Sequence, residues 1–503
     1  MLARIAVTLG YRPVPDVPPR AALAEVSRLA IEDLLAGAPE LGELAERFAV
    51  AGHEVALVGG SVRDAVRLGA AADLDLATSA RPQQVLAVVS GWADAVWDVG
   101  IAFGTVGARK GAHDFEITTY RSDVYDRATR KPEVTYGDSL MEDLRRRDFT
   151  INAMAVTLPQ REFVDPFDGL GDLAAGVLRT PATPQESFAD DPLRMMRAAR
   201  FAAQLGVTVA PEVLAAMTDM AQRITMVSAE RVRDELSKLL LAARPRPGLE
   251  LLVDSGLADH VLPELPALRL EIDEHHRHKD VYEHSLIVLE QAIDLERIHQ
   301  PACAPDLVLR LAALLHDIGK PRTRRFERGG RVSFHHHEVV GAKMVRKRLT
   351  ALRYPKSVVD EVSMLVELHL RFHGYGSGEW TDSAVRRYVR DAGDQLVELH
   401  KLTRADCTTR NARKAAALRR TYDDLERRIA ELEQAEELAA IRPDLDGNQI
   451  MTILGIGPGR QVGEAYRWLL ERRLDEGPLG PERAEQELRA WWAGRATGTG
   501  SSA

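Results

Sequence analysis

The sequence predicts an α/β head at its N-terminal end, followed by a chain that is almost entirely helical. Short apolar runs such as Glu54–Val58 alternate with helical patterns up to about residue 175. From Pro184 onward strand patterns almost disappear, and apolar residues recur at helical spacing, as in Leu193–Leu205. A chain of 503 residues also exceeds what one hydrophobic core organises, so several domains in series are expected.

Proline and glycine clusters and changes in charge pattern divide the chain into six segments. The predicted segments are a loose N-terminal tail (1–22), the α/β head (23–175), a helical neck (176–272), a histidine-rich helical module (273–410), a helical C-terminal arm (411–496) and a disordered tail (497–503). The modules are therefore expected to carry separate sites.

Composition excludes some classes of function. Aromatic residues make up 5% of the chain, so its surface is not mainly a base-stacking platform. A net charge of -9 argues against a chain coated in basic surface, although a local patch is enough to bind RNA. Cys303 and Cys407 form no CxxC motif, which suits a reducing compartment, and the cytoplasm is expected. We expect no association with a membrane, because we find no signal peptide or membrane-spanning stretch.

Two carboxylates in the head are spaced to act together. Asp73 and Asp75 lie on a predicted strand over Asp73–Thr78, where alternate side chains share one face. Like charges at short range need a cation, and ligation by oxygen alone favours Mg²⁺. Glu116 on the following hairpin is a candidate third carboxylate, with an ordinary strand glutamate as the alternative. The pattern predicts a metal site for in-line phosphoryl transfer with pyrophosphate as leaving group.

A glycine loop precedes these carboxylates. Gly59 and Gly60 end a predicted strand and open a helix, where free backbone N–H groups and the nearby Arg63 suit a triphosphate. A capping box from Ser61 to Asp64 explains the same residues without a ligand. The order of loop and carboxylates, about a dozen residues apart, favours the phosphate-binding interpretation, with Ser61 in the site.

Five motifs in a fixed order carry a resemblance to a known family. They are Gly59-Gly60-x-x-Arg63-Asp64 with Asp73-x-Asp75, Leu144-Arg-Arg-Arg147-Asp148-Phe-Thr-Ile-Asn152-Ala, Asp165-Pro-Phe-Asp-Gly169 with Asp172, Asp191-Pro-Leu-Arg194-Met-Met-Arg197-Ala-Ala-Arg200-Phe, and Glu230-Arg231-Val-Arg-Asp-Glu235. With these motifs most of the chain resembles the class II CCA-adding enzymes and bacterial poly(A) polymerases of the polymerase-beta superfamily. The resemblance implies a polymerase-beta-like nucleotidyltransferase head.

The resemblance also implies roles for residues of the head. Asp73 and Asp75 would carry the catalytic Mg²⁺ ions. Arg147 and Asp148 would hold the sugar and phosphates of the incoming nucleotide, and Asn152 joins the nucleotide-binding set. A cluster of ordinary salt bridges is the alternative for the charges around Arg147.

Asp191 and Arg194 are predicted to be helix neighbours in the neck. A carboxylate beside a guanidinium offers an acceptor and a donor, which fits the Watson–Crick edges of cytosine and adenine. An intrahelical salt bridge is the alternative for the pair taken alone. The resemblance implies that the pair selects CTP and ATP, with Arg197 and Arg200 in support; Asp190 stands where the family usually has glutamate.

The function implied by the resemblance is addition of C, C and A to the 3′ end of tRNA from CTP and ATP. The stretch 121–136 resembles the full-length flexible loop of CCA-adding enzymes, which favours complete addition. Poly(A) polymerase, CC-adding and A-adding enzymes stay open as alternatives. A phosphohydrolase with a degenerate head and a non-catalytic RNA-binding protein are weighed too, but intact Asp73 and Asp75 argue against both. Monomer and homodimer are both open.

The histidine-rich module holds residues able to bind a metal. His316 and Asp317 end the apolar run Leu307–Leu315, and Gly319 after them is a predicted helix cap. The candidate ligands, in chain order, are His284, His316, Asp317, His337, His369 and Asp406. Each alone is more often an ordinary residue, but their order resembles the HD metal-dependent phosphohydrolase superfamily. That resemblance implies hydrolysis of phosphate esters or 2′,3′-cyclic phosphates with Mg²⁺ or a divalent transition metal.

The C-terminal arm offers two candidate contacts to tRNA. Gly455–Gly459 resembles a helix-hairpin-helix turn, whose backbone N–H groups can meet a phosphate, and a plain interhelical turn is the alternative. A local basic stretch could contact phosphates, although a solvated helix face explains it equally well. Its residues are Arg410, Arg413, Lys414, Arg419 and Arg420.

Overall fold

The computed structural model divides the chain into two compact units, Met1–Pro263 and Glu264–Ala503. It describes residues 20–69, 73–98, 100–121, 136–269, 280–328, 332–375, 380–409, 411–436 and 442–498. Within these ranges no helix is both long and apolar enough to cross a membrane. The predicted flexible loop lies outside them except for its ends, Arg121 and Tyr136, which form an antiparallel bridge. The boundaries of the six predicted segments stay predictions.

A seven-stranded mixed sheet forms the centre of the first unit. Its strands are β1 (Val55–Val58), β2 (Leu74–Thr78), β3 (Ala95–Trp97), β4 (Thr105–Lys110), β5 (His113–Thr119), β6 (Ala155–Leu158) and β7 (Phe163–Val164). The order across the sheet is β3-β4-β5-β2-β1-β6-β7, and only β2 and β5 are parallel. This parallel pairing aligns Asp75 with Glu116 on neighbouring strands. The predicted hairpin of β4 and β5 is confirmed.

The two faces of this sheet have different partners. The head helices are α1 (Arg20–Gly37), α2 (Glu40–Val50), α3 (Gly60–Leu68), α4 (Pro82–Val89) and α5 (Leu140–Arg145). Helices α1 to α4 bury apolar residues in the main core, which Leu74 and Leu76 of β2 also enter. Ala77 belongs instead to a smaller cluster with Leu144 of α5. Because side chains alternate along a strand, Asp75 points to the same side as Ala77 and away from the main core.

The remainder of the first unit is mainly helical and builds on one central helix. Its elements are α6 (Gly169–Ala175), β8 (Val177–Leu178), α7 (Pro184–Asp190), α8 (Leu193–Leu205), β9 (Thr208–Val209), α9 (Pro211–Met220), α10 (Ala229–Leu240), α11 (Arg246–Asp254) and α12 (Ala258–Val261). Most of α8 is buried, and it packs against both α10 and α11. Helix α8 carries Arg194, Arg197 and Arg200, so its packing sets where these arginines point.

In its described ranges the second unit is helical apart from one short hairpin. Its elements are α13 (Val281–His299), α14 (Leu307–Leu315), α15 (Lys320–Thr323), β10 (Arg325–Phe326), β11 (Val332–Ser333), α16 (His337–Ala351), α17 (Lys356–Leu368), α18 (Asp382–Ala392), α19 (Leu396–Ala405), α20 (Ala412–Glu436), α21 (Gly447–Leu454), α22 (Arg460–Glu476) and α23 (Pro481–Gly498). The apolar α14 is almost wholly buried and contacts α13, α17 and α19. The hairpin of β10 and β11 was not predicted, because two-residue strands leave too short a pattern.

The last three helices have a small core of their own. Apolar residues of α21, α22 and α23 form one cluster, in which Trp468 stacks on Trp491 with ring centroids 5.1 Å apart. Gly455 ends α21 in the left-handed conformation, and Gly459 directly precedes α22. The predicted glycine turn therefore joins two packed helices.

A single glycine lets α11 approach α8. A Cβ on Gly248 would lie 2.3 Å from the carbonyl oxygen of Ala199. We expect Gly248→Ala to destabilise the first unit by about 1–3 kcal/mol, because overpacking forces the helices apart. Gly42→Ala is the control, since a Cβ there meets nothing within 4 Å and alanine favours a helix. Thermal unfolding followed by circular dichroism would contradict this packing if both variants melted alike.

Candidate active sites

One serine joins the glycine loop to the two predicted carboxylates. The buried Ser61 hydroxyl donates to the carbonyl oxygen of Asp73 at 2.8 Å and accepts from the backbone N–H of Asp75 at 2.7 Å. The capping-box interpretation of Ser61 is wrong, because Gly59 is the N-cap of α3 and the serine bonds to a different strand. Ser61 therefore fixes the start of β2 against the start of α3.

The glycine loop lies next to Asp75. Gly59 has a φ of 67°, a region that favours glycine. A Cβ at this position would lie 2.8 Å from NH1 of Arg147 and 3.7 Å from Oδ2 of Asp75. A Cβ on Gly60 would lie 3.6 Å from the same Asp75 oxygen. Loop, carboxylate and guanidinium thus converge, as the sequence predicted.

The carboxylates of this site repel one another. Burial, together with the charge of Glu116 and more weakly that of Asp73, raises the pKa of Asp75 to about 6, although Arg147 acts against the shift. A divalent cation would relieve this repulsion, and the donors are the carboxylate oxygens that Mg²⁺ prefers. The residues present therefore fit the metal that the sequence predicts.

Asp148 is the centre of a second network beside the loop. Asn152 Nδ2 donates to Asp148 Oδ1 at 2.9 Å, and Arg197 Nε donates to Oδ2 at 2.7 Å. Arg63 donates to Asn152 Oδ1 at 2.6 Å, which links this network to the glycine loop. Burial acts to raise the pKa of Asp148, but the charge of Arg197 and the hydrogen bonds outweigh it and lower the pKa to about 2. Asp148 is therefore an ionised anchor that orients its neighbours.

Two buried carboxylates that were outside the predicted site support its arginines. Glu235 on α10 accepts from Arg200 Nε at 2.6 Å and lies 3.5 Å from Arg197 NH1. Asp143 accepts from Arg147 NH2 at 2.9 Å. The spacing of Asp143 four residues before Arg147 was a usable signal. Glu235 gave none that pointed to α8, since its partners lie on another helix.

Asp191 is not a helix neighbour of Arg194, so that prediction is wrong. Asp191 has an extended backbone, with φ −141° and ψ 101°, between α7 and α8. The cause is Pro192, because a proline disfavours helical geometry in the residue before it. The Asp191 carboxylate accepts instead from Arg231 NH2 of α10 at 2.7 Å.

Arg194 has internal partners in this structure. Its buried guanidinium donates to Ser187 Oγ at 2.9 Å and to the carbonyl oxygen of Arg146. Arg194 thereby ties α8 to α7 and to the end of α5. The predicted acceptor and donor of the base-reading pair are thus held by separate partners, Arg231 and Ser187.

The six predicted ligands of the histidine module come together in the second unit. Ligand atoms of His284, His316 and Asp317 lie within 4.8 Å of one another, and so do those of Asp317, His337 and His369. Asp317 belongs to both groups. The sixth residue, Asp406, lies with Oδ1 3.0 Å from His284 Nε2. We call these six residues the His–Asp cluster.

Backbone carbonyls aim the imidazoles of the His–Asp cluster. In three of the histidines, Nδ1 bonds to a backbone carbonyl oxygen: His316 to Ala313 (2.9 Å), His337 to Phe334 (2.8 Å) and His369 to Val366 (2.6 Å). In the fourth, His284, Nδ1 lies 3.1 Å from Thr408 Oγ1. Each contact uses Nδ1 and leaves Nε2 for the centre of the cluster.

The state of one imidazole, that of His369, indicates whether the residues of the His–Asp cluster fit a metal ion. Nε2 of His369 is buried and has no hydrogen-bond partner in the described part of the chain. Burial and the neighbouring His316 lower the pKa of His369 to about 3, so its ring is neutral. A neutral, unsatisfied imidazole beside buried carboxylates suits a divalent cation.

Gly319 and Lys320 complete the surroundings of the His–Asp cluster. Gly319 does not end α14, whose last turn is followed by His316; it directly precedes α15 with a φ of −75°, so its prediction as the cap of the apolar helix is wrong. Glycine is needed there because a Cβ would lie 2.1 Å from the carbonyl oxygen of His337. Lys320, which the sequence did not single out, places Nζ 2.8 Å from Asp317 Oδ2.

A mixed sheet with a glycine loop and paired carboxylates is the architecture of a nucleotidyltransferase head, and the His–Asp cluster has the residue types and order of an HD domain. Residues 55–179 match the poly(A) polymerase head domain, 206–268 the "Probable RNA and SrmB-binding site of polymerase A", and 281–411 the HD domain. The chain belongs to the family of CCA-adding and A-adding tRNA nucleotidyltransferases and bacterial poly(A) polymerases, with an HD domain. Both of its enzyme modules are of metal-dependent kinds.

Several curated relatives are similar over different lengths. The A-adding tRNA nucleotidyltransferase of Deinococcus radiodurans is 36% identical over 88% of this chain and 96% of its own length. The CCA-adding enzymes of Streptococcus gordonii and Levilactobacillus brevis are 42% and 44% identical, over 46% and 41% of this chain. The chain spans about half the length of these two relatives, 56% and 51%.

Solved structures show the same fold. The CCA-adding enzyme of Bacillus stearothermophilus in complex with CTP has a TM-score of 0.62 at 24% identity, over 92% of this chain and 99% of its own. The Thermotoga maritima CCA-adding enzyme complexed with tRNA-CCA has a TM-score of 0.57 at 20% identity, over 93% and 98%. The fold extends beyond the head to nearly the whole chain.

The Asp191–Arg231 contact predicts a role for Arg231 in nucleotide choice. If Asp191 reads the base and its carboxylate must first leave Arg231, Arg231→Gln should free that carboxylate and lower UTP and GTP incorporation about tenfold relative to CTP and ATP, the order of one charge-assisted hydrogen bond. Arg233→Gln is the matched control, because Arg233 pairs with its neighbour Asp234. Single-nucleotide incorporation assays measure the ratio, and equal ratios in both variants would exclude this role.

Proposed function

We propose that this chain adds C, C and A to the 3′ end of tRNA from CTP and ATP and releases pyrophosphate. The convergence of the glycine loop, Asp75 and Arg147 is the observation that carries the proposal. The names of the relatives, CCA-adding and A-adding enzymes, support tRNA as the substrate. An activity on tRNA also supports the expected cytoplasmic location.

In this proposal the residues of the head bind and align the nucleotide. The N–H groups at the start of α3 and Arg63 take the triphosphate, and Arg147 neutralises charge beside Asp75. Asp73 and Asp75, with Glu116 near them, would hold Mg²⁺, which when bound would lower the pKa of the attacking hydroxyl and offset the charge of the leaving group. The 3′-oxygen of tRNA forms a bond to the α-phosphorus, the bond to pyrophosphate breaks, and the hydroxyl proton leaves to solvent.

The choice between C and A rests on the neck in this proposal. Asp191 and Arg194 stand at the start of α8, where the family's base-reading residues are expected. Arg197 and Arg200 are oriented by Asp148 and Glu235, so they support the site from behind. Reading a base requires Asp191 and Arg194 to exchange their present protein partners for the base edge.

A second candidate function is addition of the terminal A alone. It is favoured by the Deinococcus radiodurans relative, an A-adding enzyme similar over most of the chain, whereas the two CCA-adding relatives above match less than half of it. Poly(A) synthesis stays a third possibility within the same family.

Product length separates these functions. Purified protein is incubated with Mg²⁺, CTP and ATP and with tRNA ending before CCA or after CC. Complete CCA addition predicts growth by three and by one nucleotide, respectively. An A-adding enzyme extends only the second tRNA, and a poly(A) polymerase makes long tails without CTP; either result would overturn the proposal of CCA synthesis.

We propose that the His–Asp cluster is a metal-dependent phosphohydrolase site. The neutral His369 and the buried Asp317 support a divalent transition metal or Mg²⁺. In hydrolysis of a 2′,3′-cyclic phosphate, water bonds to phosphorus, one ribose P–O bond breaks, and a water proton goes to the released ribose oxygen. The product is a phosphate monoester.

Variants in each unit should separate the two activities. Asp75→Asn should lower nucleotide addition at least about a hundredfold, since metal binding is lost, and spare hydrolysis of adenosine 2′,3′-cyclic phosphate. His316→Ala combined with Asp317→Ala should do the reverse. Each variant is the control for the other's fold. Nucleotide addition that survives in Asp75→Asn would contradict the assignment of the head.

A further inference from the structure

An exposed aromatic residue lies on the hairpin between two ligand segments of the His–Asp cluster. Phe326 on β10 is 70% exposed. The guanidinium of Arg324 lies over its ring, with Cζ 4.8 Å from the centroid. The ring contributes little to the core and is accessible to a ligand.

The same short segment is rich in positive charge. Arg322, Arg324, Arg325 and Arg328 fall within seven residues, and none forms an ion pair with a carboxylate in the described ranges of the chain. The one acidic residue among them, Glu327, accepts instead from Ser333 Oγ at 2.7 Å. The arginines are therefore available to an external anion.

Residues on either side of this segment contact the His–Asp cluster. At its start, Lys320 Nζ lies 2.8 Å from Asp317 Oδ2. After the segment, the carbonyl oxygen of the buried Phe334 forms a hydrogen bond with Nδ1 of His337. Arg325 pairs with Ser333 across the hairpin, one residue from Phe334. The exposed ring and the arginines are thus anchored beside the metal-binding residues.

We propose that the segment Arg322–Arg328, here called the arginine hairpin, binds the last nucleotides of a single-stranded RNA whose terminal phosphate enters the His–Asp cluster. Phe326 stacks on a base, and the arginines contact backbone phosphates. This inference rests on the proposed phosphohydrolase function and narrows its substrate from a free mononucleotide to an RNA 3′ end.

Charge and chemistry favour RNA over a protein partner. To a protein partner, the hairpin would offer only one isolated aromatic ring. A nucleic acid carries both a base that can stack on this ring and regularly spaced phosphates that the arginines can contact. RNA also supplies the ribose 2′-hydroxyl, without which a 2′,3′-cyclic phosphate does not form. An acidic peptide serves as a comparison. If it displaced the RNA and bound equally well to the wild-type chain and to Phe326→Ala, its binding would depend on charge alone.

The test compares two substrates that share one reactive group. Hydrolysis is measured for adenosine 2′,3′-cyclic phosphate and for a tetranucleotide that ends in a 2′,3′-cyclic phosphate. Phe326→Ala should raise KM for the tetranucleotide about tenfold, the usual size of one lost stacking contact, and leave kcat and the mononucleotide unchanged. Ile298→Ala removes a similarly exposed apolar side chain of the same unit and should change neither KM.

Equal rises of KM for both substrates in Phe326→Ala would overturn the inference, because the hairpin would then only shape the metal site. No change for either would overturn it too. If the wild-type chain hydrolyses neither substrate, the phosphohydrolase proposal fails by itself. The hairpin is then tested by fluorescence anisotropy with a labelled tetranucleotide ending in a 3′-phosphate, for which Phe326→Ala should raise Kd about tenfold; equal Kd values would refute it.

Discussion

The head depends on the two hydrogen bonds of the Ser61 hydroxyl. They connect the start of α3, which presents free N–H groups, to the start of β2, which presents Asp73 and Asp75. The proposed function requires the loop, as phosphate binder, and the strand, as metal binder, to keep a fixed separation so that both act on one triphosphate. Since Ser61 is buried, water does not compete for these bonds, and the separation is set by the fold.

Around this centre the charges are arranged in layers. Burial of Asp75, and then repulsion from Glu116, raise the pKa of Asp75 above that of a free aspartate. Asp148 and Glu235 each accept a hydrogen bond from an arginine of α8. The carboxylates around Asp75 therefore carry negative charge that protein cations do not fully offset, whereas Asp148 and Glu235 are paired with arginines. The uncompensated charge is available to a ligand.

The His–Asp cluster uses a different device for the same purpose. Three of its imidazoles are aimed by carbonyls of the turn immediately before them, three residues back in the chain. These three ligands are thus oriented by their own backbone, whereas His284 uses Thr408 from a distant part of the chain. This local support explains why the order of ligands in the sequence was enough to identify the cluster, although nothing in the sequence pointed to Lys320 or the arginine hairpin.

The sequence by itself determined the α/β head, the helical remainder, the family and the residues that converge in both sites, because period, motif order and turn chemistry are local properties. It also contained the reason that Asp191 leaves the helix, since Pro192 follows it. Only the tertiary structure decided which charges meet: Glu235 with Arg200, Asp191 with Arg231, and Ser61 with the backbone of β2. These contacts join residues far apart in the chain, and their geometry comes from the packing of helices and strands that no local pattern records.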